Sequence, residues 1–318
     1  LHGTGITLVP KILSRMGFTN VSLVEAQVES NGNFPTVKSP NPEENSALEM
    51  AVALAEEKGA DLVMATDPDA DRVGIAIRDN EGKITLLNGN QTASLLTYYL
   101  LRRWKELGKL NENTYIVKTI VTTELMAAMA NKFGIKYYNV LTGFKYIASV
   151  IRENEGKATF IGGGEESYGY NVGEFVRDKD AVITCAMVAE CAAWCAEQGK
   201  TLYQLLQDIY AEYGMYKESL LSLTKKGKAG LEEIQAMMAN YRSNPPKQLA
   251  GSDVVKVIDY NKPEETGLPK SNVLQFYTAD GAVVSVRPSG TEPKIKFYFG
   301  VTGADCDAKI AALRKEFE

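Results

Sequence analysis

Apolar residues at Ile6, Val9, Ile12, Leu13 and Met16 follow helical spacing and stop at Gly17, which predicts a first helix. Val21 to Val24 predicts a strand, and Glu43 to Lys58 a helix closed by Gly59. Leu62 to Ala65 and Val73 to Ile77 are apolar runs of strand length. Between Ser30 and Pro42, three Pro and three Asn predict a long loop, in which Ser39-Pro40-Asn41-Pro42 reads as a rigid surface turn.

The alternation continues. Gln91 to Leu107 predicts a helix, Tyr115 to Val121 a strand, Thr123 to Phe133 a helix stopped at Gly134, and Tyr137 to Leu141 a strand. A helix from Phe144 to Glu153, a strand at Thr159 to Ile161, a glycine-rich loop and a long helix from Asp180 to Gln198 follow. Such order implies mostly parallel sheets with helices on both faces, whose ligands gather at the carboxyl ends of strands. From about Tyr216 the strands cluster: Leu220 to Leu223, Val254 to Ile258, Val273 to Tyr277, Val283 to Val286 and Ile295 to Val301. With helices at Leu231 to Tyr241 and Ala304 to Phe317, they predict a smaller α+β domain with an antiparallel sheet.

Composition narrows the class. The 318 residues are 45% hydrophobic and 24% charged, enough for two or three cores. No apolar run approaches the roughly 18 residues of a membrane span, and no signal peptide is evident at the start, so the expectation is a cytoplasmic protein with no membrane partner. A net charge of −5 without a long basic run argues against nucleic acid and favours anionic small molecules. Cys185, Cys191 and Cys195 share one apolar stretch and read as core residues, and the single His2 leaves little to complete a zinc site or a histidine-dependent triad. Leu1 to Gly5 looks like the tail of a strand entering a glycine-rich turn, which suggests a piece of a longer protein.

Three loops carry candidate chemistry. Asp67, Asp69 and Asp71 place three carboxylates at alternate positions after a buried strand, and such a patch asks for a cation. A calcium loop starting at Asp67 fails, because Arg72 and Arg78 stand where glycine and an acidic residue are needed. A Mg²⁺ site, an aspartyl phosphatase with Asp67 as nucleophile, and a solvated acidic turn remain open. Gly162 to Gly169 combines backbone freedom with Glu165, Glu166 and Ser167, groups suited to sugar hydroxyls, with a tight turn as the alternative. Arg287 to Lys294 has the composition of a phosphate cradle in Arg287, Ser289, Gly290 and Thr291, or of a polar hairpin loop.

These loops occur in the order found in the α-D-phosphohexomutases, the phosphoglucomutase and phosphomannomutase superfamily, and the chain resembles that superfamily along essentially its whole length. Thr142-Gly143-Phe144-Lys145 and Arg177-Asp178-Lys179-Asp180 also fit. The resemblance implies domain two over residues 1–87, lacking its first strand, domain three over 88–199, a linker over 200–214 and domain four over 215–318. The fold class expected is thus two doubly wound α/β domains with mixed or parallel sheets, then a smaller antiparallel α+β domain. The family's first domain carries a phosphorylated serine in a Thr-Ala-Ser-His-Asn-Pro-like segment, and no such segment is present in this sequence.

The activity implied is interconversion of hexose 1-phosphate and hexose 6-phosphate through a hexose bisphosphate. By the resemblance, Asp67, Asp69 and Asp71 hold Mg²⁺ and Arg72 neutralises part of the transferred charge. Glu165 and Ser167 bind sugar hydroxyls, and Thr142, Gly143 and Lys145 add substrate contacts. Arg287, Ser289, Gly290 and Thr291 grip the phosphate that is not transferred, and Lys179 moves the proton. The Glu-Glu-Ser-Tyr form of the sugar loop favours glucose phosphate; phosphopentomutase and a non-catalytic phosphosugar-binding module are the alternatives. The chain alone, without its N-terminal domain, is expected to be inactive.

Overall fold

The structure, a computed structural model, describes residues 1–225, 227–289 and 293–318. It divides into two compact units, Leu1–Glu212 and Tyr213–Glu318.

The first unit opens with α1 (Gly5–Arg15), a short 3-10 turn (Glu25–Gln27) and α2 (Asn45–Lys58). Strands β1 (Leu62–Thr66), β2 (Val73–Arg78) and β3 (Ile84–Leu87) form an antiparallel sheet in that order. Ala47, Leu48 and Ala55 of α2 bury against Val63, Ala65, Ala76 and Ile84. The α/β class holds, with two local differences. This sheet contains no parallel pair among the described residues, and Val21 to Val24 pairs with no strand among them.

Next come α3 (Gly89–Glu106), β4 (Thr114–Thr119), α4 (Leu125–Phe133), β5 (Lys136–Val140) and α5 (Phe144–Glu153). They are followed by β6 (Thr159–Gly164), β7 (Tyr170–Val172), α6 (Ala181–Glu197) and α7 (Leu202–Tyr213). The second sheet runs β5-β4-β6-β7, parallel except for β7. Tyr115, Val117, Ile147 and Phe160 fill the core on one face. The segment expected as a linker is largely helix: Leu202, Leu205, Leu206 and Ile209 form a buried stripe at helical spacing, so α7 belongs to the first unit's core.

Two ends are fixed by side chains. Asn88 and Gln91 cap α3 reciprocally. Asp180 caps α6 by accepting from the amides of Val182 (2.8 Å) and Ile183 (3.1 Å). Asp180→Ala should therefore lower stability by about 1 kcal/mol, read as a lower urea midpoint with an unchanged slope.

The second unit contains β8 (Tyr216–Thr224), α8 (Gly227–Ser243), β9 (Gln248–Leu249), β10 (Ser252–Asp259) and α9 (Pro263–Thr266). Strands β11 (Leu274–Thr278), β12 (Val283–Pro288) and β13 (Lys294–Thr302) precede α10 (Cys306–Phe317). Its antiparallel sheet has the order β8-β13-β12-β11-β10-β9. Phe276, Phe297, Phe299 and Phe317 centre the core, with the rings of Phe297 and Phe317 4.8 Å apart.

Candidate active site

The acidic loop is built where β1 stops. Asp67 is buried, and its Oδ1 accepts from the amides of Asp71 (3.0 Å) and Arg72 (2.9 Å), which folds residues 67–72 into a tight turn. Ala70 pays for the turn with a left-handed φ of +59°. The loop is held from outside as well: Thr4 donates to the Pro68 carbonyl from its amide (2.8 Å) and hydroxyl (3.1 Å), and the Ala181 amide donates to the Ala70 carbonyl (3.0 Å). Gly3 is required there, since a Cβ would lie 2.2 Å from Pro68 Cα.

One carboxylate oxygen from each of Asp67, Asp69 and Asp71 lies within 4.8 Å of the others. Burial, then the charges of Asp71 and Asp69, push the Asp67 carboxyl up to about 6, although the Arg72 amide opposes the rise. Three hard oxygen donors under mutual repulsion suit a small divalent cation, whose charge would reverse that rise.

Arg72 does not turn wholly toward the aspartates. Its Nη1 donates to Glu43 at 2.9 Å, and its Nε is 3.8 Å from Asp71. Glu43 was not singled out by the sequence reading, because it follows the Ser39–Pro42 segment taken for a surface turn. Pro42 is in fact buried, so closely that a Cβ on Gly74 would meet its carbonyl oxygen at 2.5 Å, and the turn delivers Glu43 to Arg72. A proline-rich acidic segment preceding a helix was the only available signal.

The sugar-type loop docks directly on the acidic loop. Arg72 and Gly169 form an antiparallel bridge, and the Val73 amide donates to the Tyr168 carbonyl at 3.1 Å. Tyr168 has a left-handed φ of +67°. Lys179 crosses over this junction, its Nζ 2.7 Å from Asp71 and 3.6 Å from Asp178. A Cβ on Gly169 would lie 2.3 Å from Lys179 Cδ, so glycine is what lets the lysine pass. Burial alone would lower the pKa of Lys179, but the ion pair with Asp71 outweighs it and the net direction is upward. Lys179 is thus a charged ammonium here, held by a carboxylate.

Glu165 is buried, and its Oε1 accepts from the Gly143 amide at 2.7 Å. That contact joins the sugar-type loop to the Thr142–Lys145 segment at the start of α5, where Gly143 adopts φ +119°, a conformation that favours glycine. The Thr142 hydroxyl oxygen is buried without a hydrogen-bond partner among the described residues. Lys145 is exposed, with Nζ 5.0 Å from the centre of the Tyr146 ring. Ser167 is half-buried. Glu166, grouped by its sequence with Glu165 and Ser167 as suited to sugar hydroxyls, accepts from Thr119 at 3.3 Å. His2 is buried, with its ring nitrogens against the Glu29 carbonyl (3.1 Å) and the Thr36 hydroxyl (2.7 Å), a structural role.

In the second unit, Arg287 pairs with Lys296 in the β12–β13 ladder and the Ser289 amide donates to the Lys294 carbonyl at 2.8 Å. Gly290 and Thr291, expected in the phosphate cradle, lie outside the described residues.

An α/β unit in which an acidic loop docks on a glycine-rich carboxylate loop is followed by an antiparallel α+β unit. The chain belongs to the phosphoglucomutase/phosphomannomutase family: models of its alpha/beta/alpha domain II, its alpha/beta/alpha domain III and its C-terminal domain match residues 1–82, 88–213 and 222–317. It is 40% identical over 317 residues to a phosphoglucomutase of Staphylococcus aureus (strain MRSA252), covering 96% of this chain and 56% of that protein. The chain therefore spans little more than half the length of this curated relative.

Solved structures show the same fold. A phosphoglucomutase/phosphomannomutase family protein from Burkholderia thailandensis superposes with a TM-score of 0.70 at 19% identity, over 99% of this chain and 57% of that one. The Paramecium phosphoprotein parafusin, in an open form, gives a TM-score of 0.68 at 18% identity, over 97% and 54%.

No helix among the described residues is long and apolar enough to cross a membrane.

Proposed function

We propose that this chain supplies the metal-binding, sugar-binding and phosphate-binding parts of a phosphoglucomutase that interconverts glucose 1-phosphate and glucose 6-phosphate through a bisphosphorylated intermediate. The observation that carries the reading is the Arg72–Gly169 bridge, which fastens a convergent carboxylate triad to the loop bearing Glu165. In this reading, residues 1–87, 88–199 and 215–318 are domains two, three and four. The phosphoryl group comes from a serine on a domain outside these residues.

Asp67, Asp69 and Asp71 would hold Mg²⁺, which supplies charge stabilisation to a phosphoryl group in flight. Arg72, steadied by Glu43, adds positive charge at the same place. Glu165, Ser167, Thr142 and Gly143 hold the sugar, and the buried Thr142 hydroxyl gains the partner it otherwise lacks. Lys145 adds positive charge toward a substrate phosphate, while Arg287, Ser289, Gly290 and Thr291 bind the phosphate that stays.

As transfer proceeds, the bond from phosphorus to the serine oxygen breaks while the bond to the sugar hydroxyl oxygen forms. The hydroxyl proton must leave and a proton must reach the serine oxygen. Lys179 begins the cycle protonated because of Asp71, which suits it to donate toward the serine oxygen and to be recharged by the sugar hydroxyl.

The 318-residue chain should bind Mg²⁺ and glucose 1-phosphate in titration calorimetry yet show no turnover in a coupled glucose 6-phosphate assay. Absence of heat with both ligands would sink the proposal. Phosphatase activity lost on Asp67→Asn would instead favour the aspartyl mechanism.

A further inference from the structure

Lys118 lies at the carboxyl end of β4, in register with Asn139 of β5 and Gly164 of β6. It is fully buried. Its Nζ donates to the Thr119 carbonyl (3.0 Å), to Glu124 Oε1 (3.0 Å) and to Asn139 Oδ1 (3.3 Å). An ammonium has three hydrogens and three acceptors are in place, so Lys118 ties the 119–124 turn to the sheet and keeps no donor for a ligand. A buried ammonium is costly unless it is paired in this way. The same turn is pinned to the start of α3, where Asn90 Oδ1 accepts from the Thr123 amide at 2.9 Å.

Two buried hydroxyls stand on this turn. Thr119 Oγ1 and Thr122 Oγ1 are 2.8 Å apart, and they accept from the amides of Val121 (3.4 Å) and Thr119 (3.3 Å) respectively. One hydroxyl hydrogen is spent between them, which leaves the other for an outside acceptor. That acceptor is Glu166 Oε2, 3.3 Å from Thr119 and 3.5 Å from Thr122.

Glu166 stands between Glu165 and Ser167. Around it the loop is held by the Glu165 amide, which donates to the Gly169 carbonyl at 2.8 Å, by the Glu165 side chain on Gly143, and by the Tyr168 carbonyl on Val73. Ser167 makes no hydrogen bond among the described residues. The Glu166 carbonyl is itself pressed so closely against Gly89 that a Cβ there would lie 2.0 Å from it.

We propose that Glu166 is a positioning residue: anchored on the Thr119–Thr122 hydroxyl pair, it fixes the backbone that carries Glu165 and Ser167 and does not itself touch the sugar. The inference rests on the reading of Glu165 and Ser167 as sugar ligands. A carboxylate suits this place, because the hydroxyl pair has one hydrogen to give and an ionised acceptor binds it more strongly than a neutral one. Both distances exceed the usual O–H···O range, so the anchor acts by direction more than by strength, and its removal loosens the loop without unfolding the unit.

The test compares the 318-residue chain with Glu166→Leu, Glu166→Gln, Thr119→Val and the combination of Glu166→Leu with Thr119→Val. In amide hydrogen exchange, Glu166→Leu should speed exchange of the Gly143 amide, which Glu165 accepts, by about tenfold and leave Ile116 and Val117 inside β4 as they were. Glu166→Gln, which keeps an acceptor oxygen, should recover most of that protection. Thr119→Val should reproduce the Glu166→Leu effect, and the two together should add nothing further, because both remove one contact. In calorimetry, Glu166→Leu should weaken glucose 1-phosphate about tenfold and leave Mg²⁺ affinity unchanged.

A Gly143 amide unmoved by Glu166→Leu, or acceleration shared equally by Ile116 and Val117, would overturn the proposal. So would additive effects of Glu166→Leu and Thr119→Val. A loss of sugar affinity as large in Glu166→Gln as in Glu166→Leu would overturn it by placing the carboxylate on the sugar. A parent chain that binds no glucose 1-phosphate sinks the proposed function, while the exchange comparison still decides the role of Glu166.

Discussion

Asp67→Asn should make the metal-free chain more stable by about 1–2 kcal/mol at pH 7.5 and, at the same time, remove its stabilisation by Mg²⁺. Asn keeps the Oδ1 acceptor for the Asp71 and Arg72 amides and removes the charge that Asp69 and Asp71 repel. The folded-state pKa of Asp67 is raised, from 3.8 to about 6. The folded chain therefore holds this proton more tightly than the unfolded chain does. Its contribution is fully present below about pH 4 and is lost as pH rises through about 6.

Raising the carboxyl from 3.8 to about 6 corresponds to about 3 kcal/mol, which solvent near the exposed Asp69 reduces to the figure above. Urea denaturation with chelator at pH 4.5, 6.0 and 7.5 should show the parent chain losing stability across this range relative to the variant. Repetition with Mg²⁺ should restore the parent and leave the variant unchanged. Identical pH slopes for the two proteins would mean that neither burial nor the neighbouring carboxylates raise the Asp67 carboxyl.

Gly89→Ala should damage the sugar-type loop from a distance in sequence of more than seventy residues. A Cβ at this first position of α3 would lie 2.0 Å from the Glu166 carbonyl oxygen and 2.8 Å from the Tyr168 amide nitrogen. Both are backbone atoms, so no side chain can swing aside, and either the helix or the loop must move. Overpacking of this kind costs about 1–3 kcal/mol. The displaced loop would carry Glu165 away from the Gly143 amide, so glucose 1-phosphate affinity should fall about tenfold, equivalent to about 1.4 kcal/mol, while Mg²⁺ affinity is retained. Thermal unfolding and calorimetry with each ligand check the two parts separately, and an unchanged midpoint would show that the contact relaxes without cost.

Much of the fold was legible along the chain. Helices α1, α2, α3 and α6 follow spacing, caps and closing glycines that are local in sequence, and the strands on either side of the acidic loop are short apolar runs bounded by polar residues. The failures have a common cause. Val21 to Val24 has strand composition, but a strand exists only through a ladder partner, and it has none among the described residues. Residues 200–214 were expected as a linker from the resemblance, and the structure folds 202–213 of them into a helix with a buried apolar stripe.

The site divides in the same way. Asp67, Asp69, Asp71 and Glu165 stood out because carboxylates directly after buried strands are costly without a counter-charge, a cost visible in the sequence. Glu43, Gly169 and Gly89 did not, since their importance lies in what reaches them: the Arg72 guanidinium, the Lys179 side chain and the Glu166 backbone.

By itself, then, the sequence determined the α/β-to-α+β order, the three candidate loops and the chemical types they carry, because periodicity and side-chain chemistry are properties of neighbouring residues. Tertiary structure alone decided that the Asp67–Arg72 turn and the Glu165–Gly169 loop share a backbone bridge and that Lys179 is held charged by Asp71. Each depends on a distance between segments far apart in the chain, set by how helices and strands close their packing against one another.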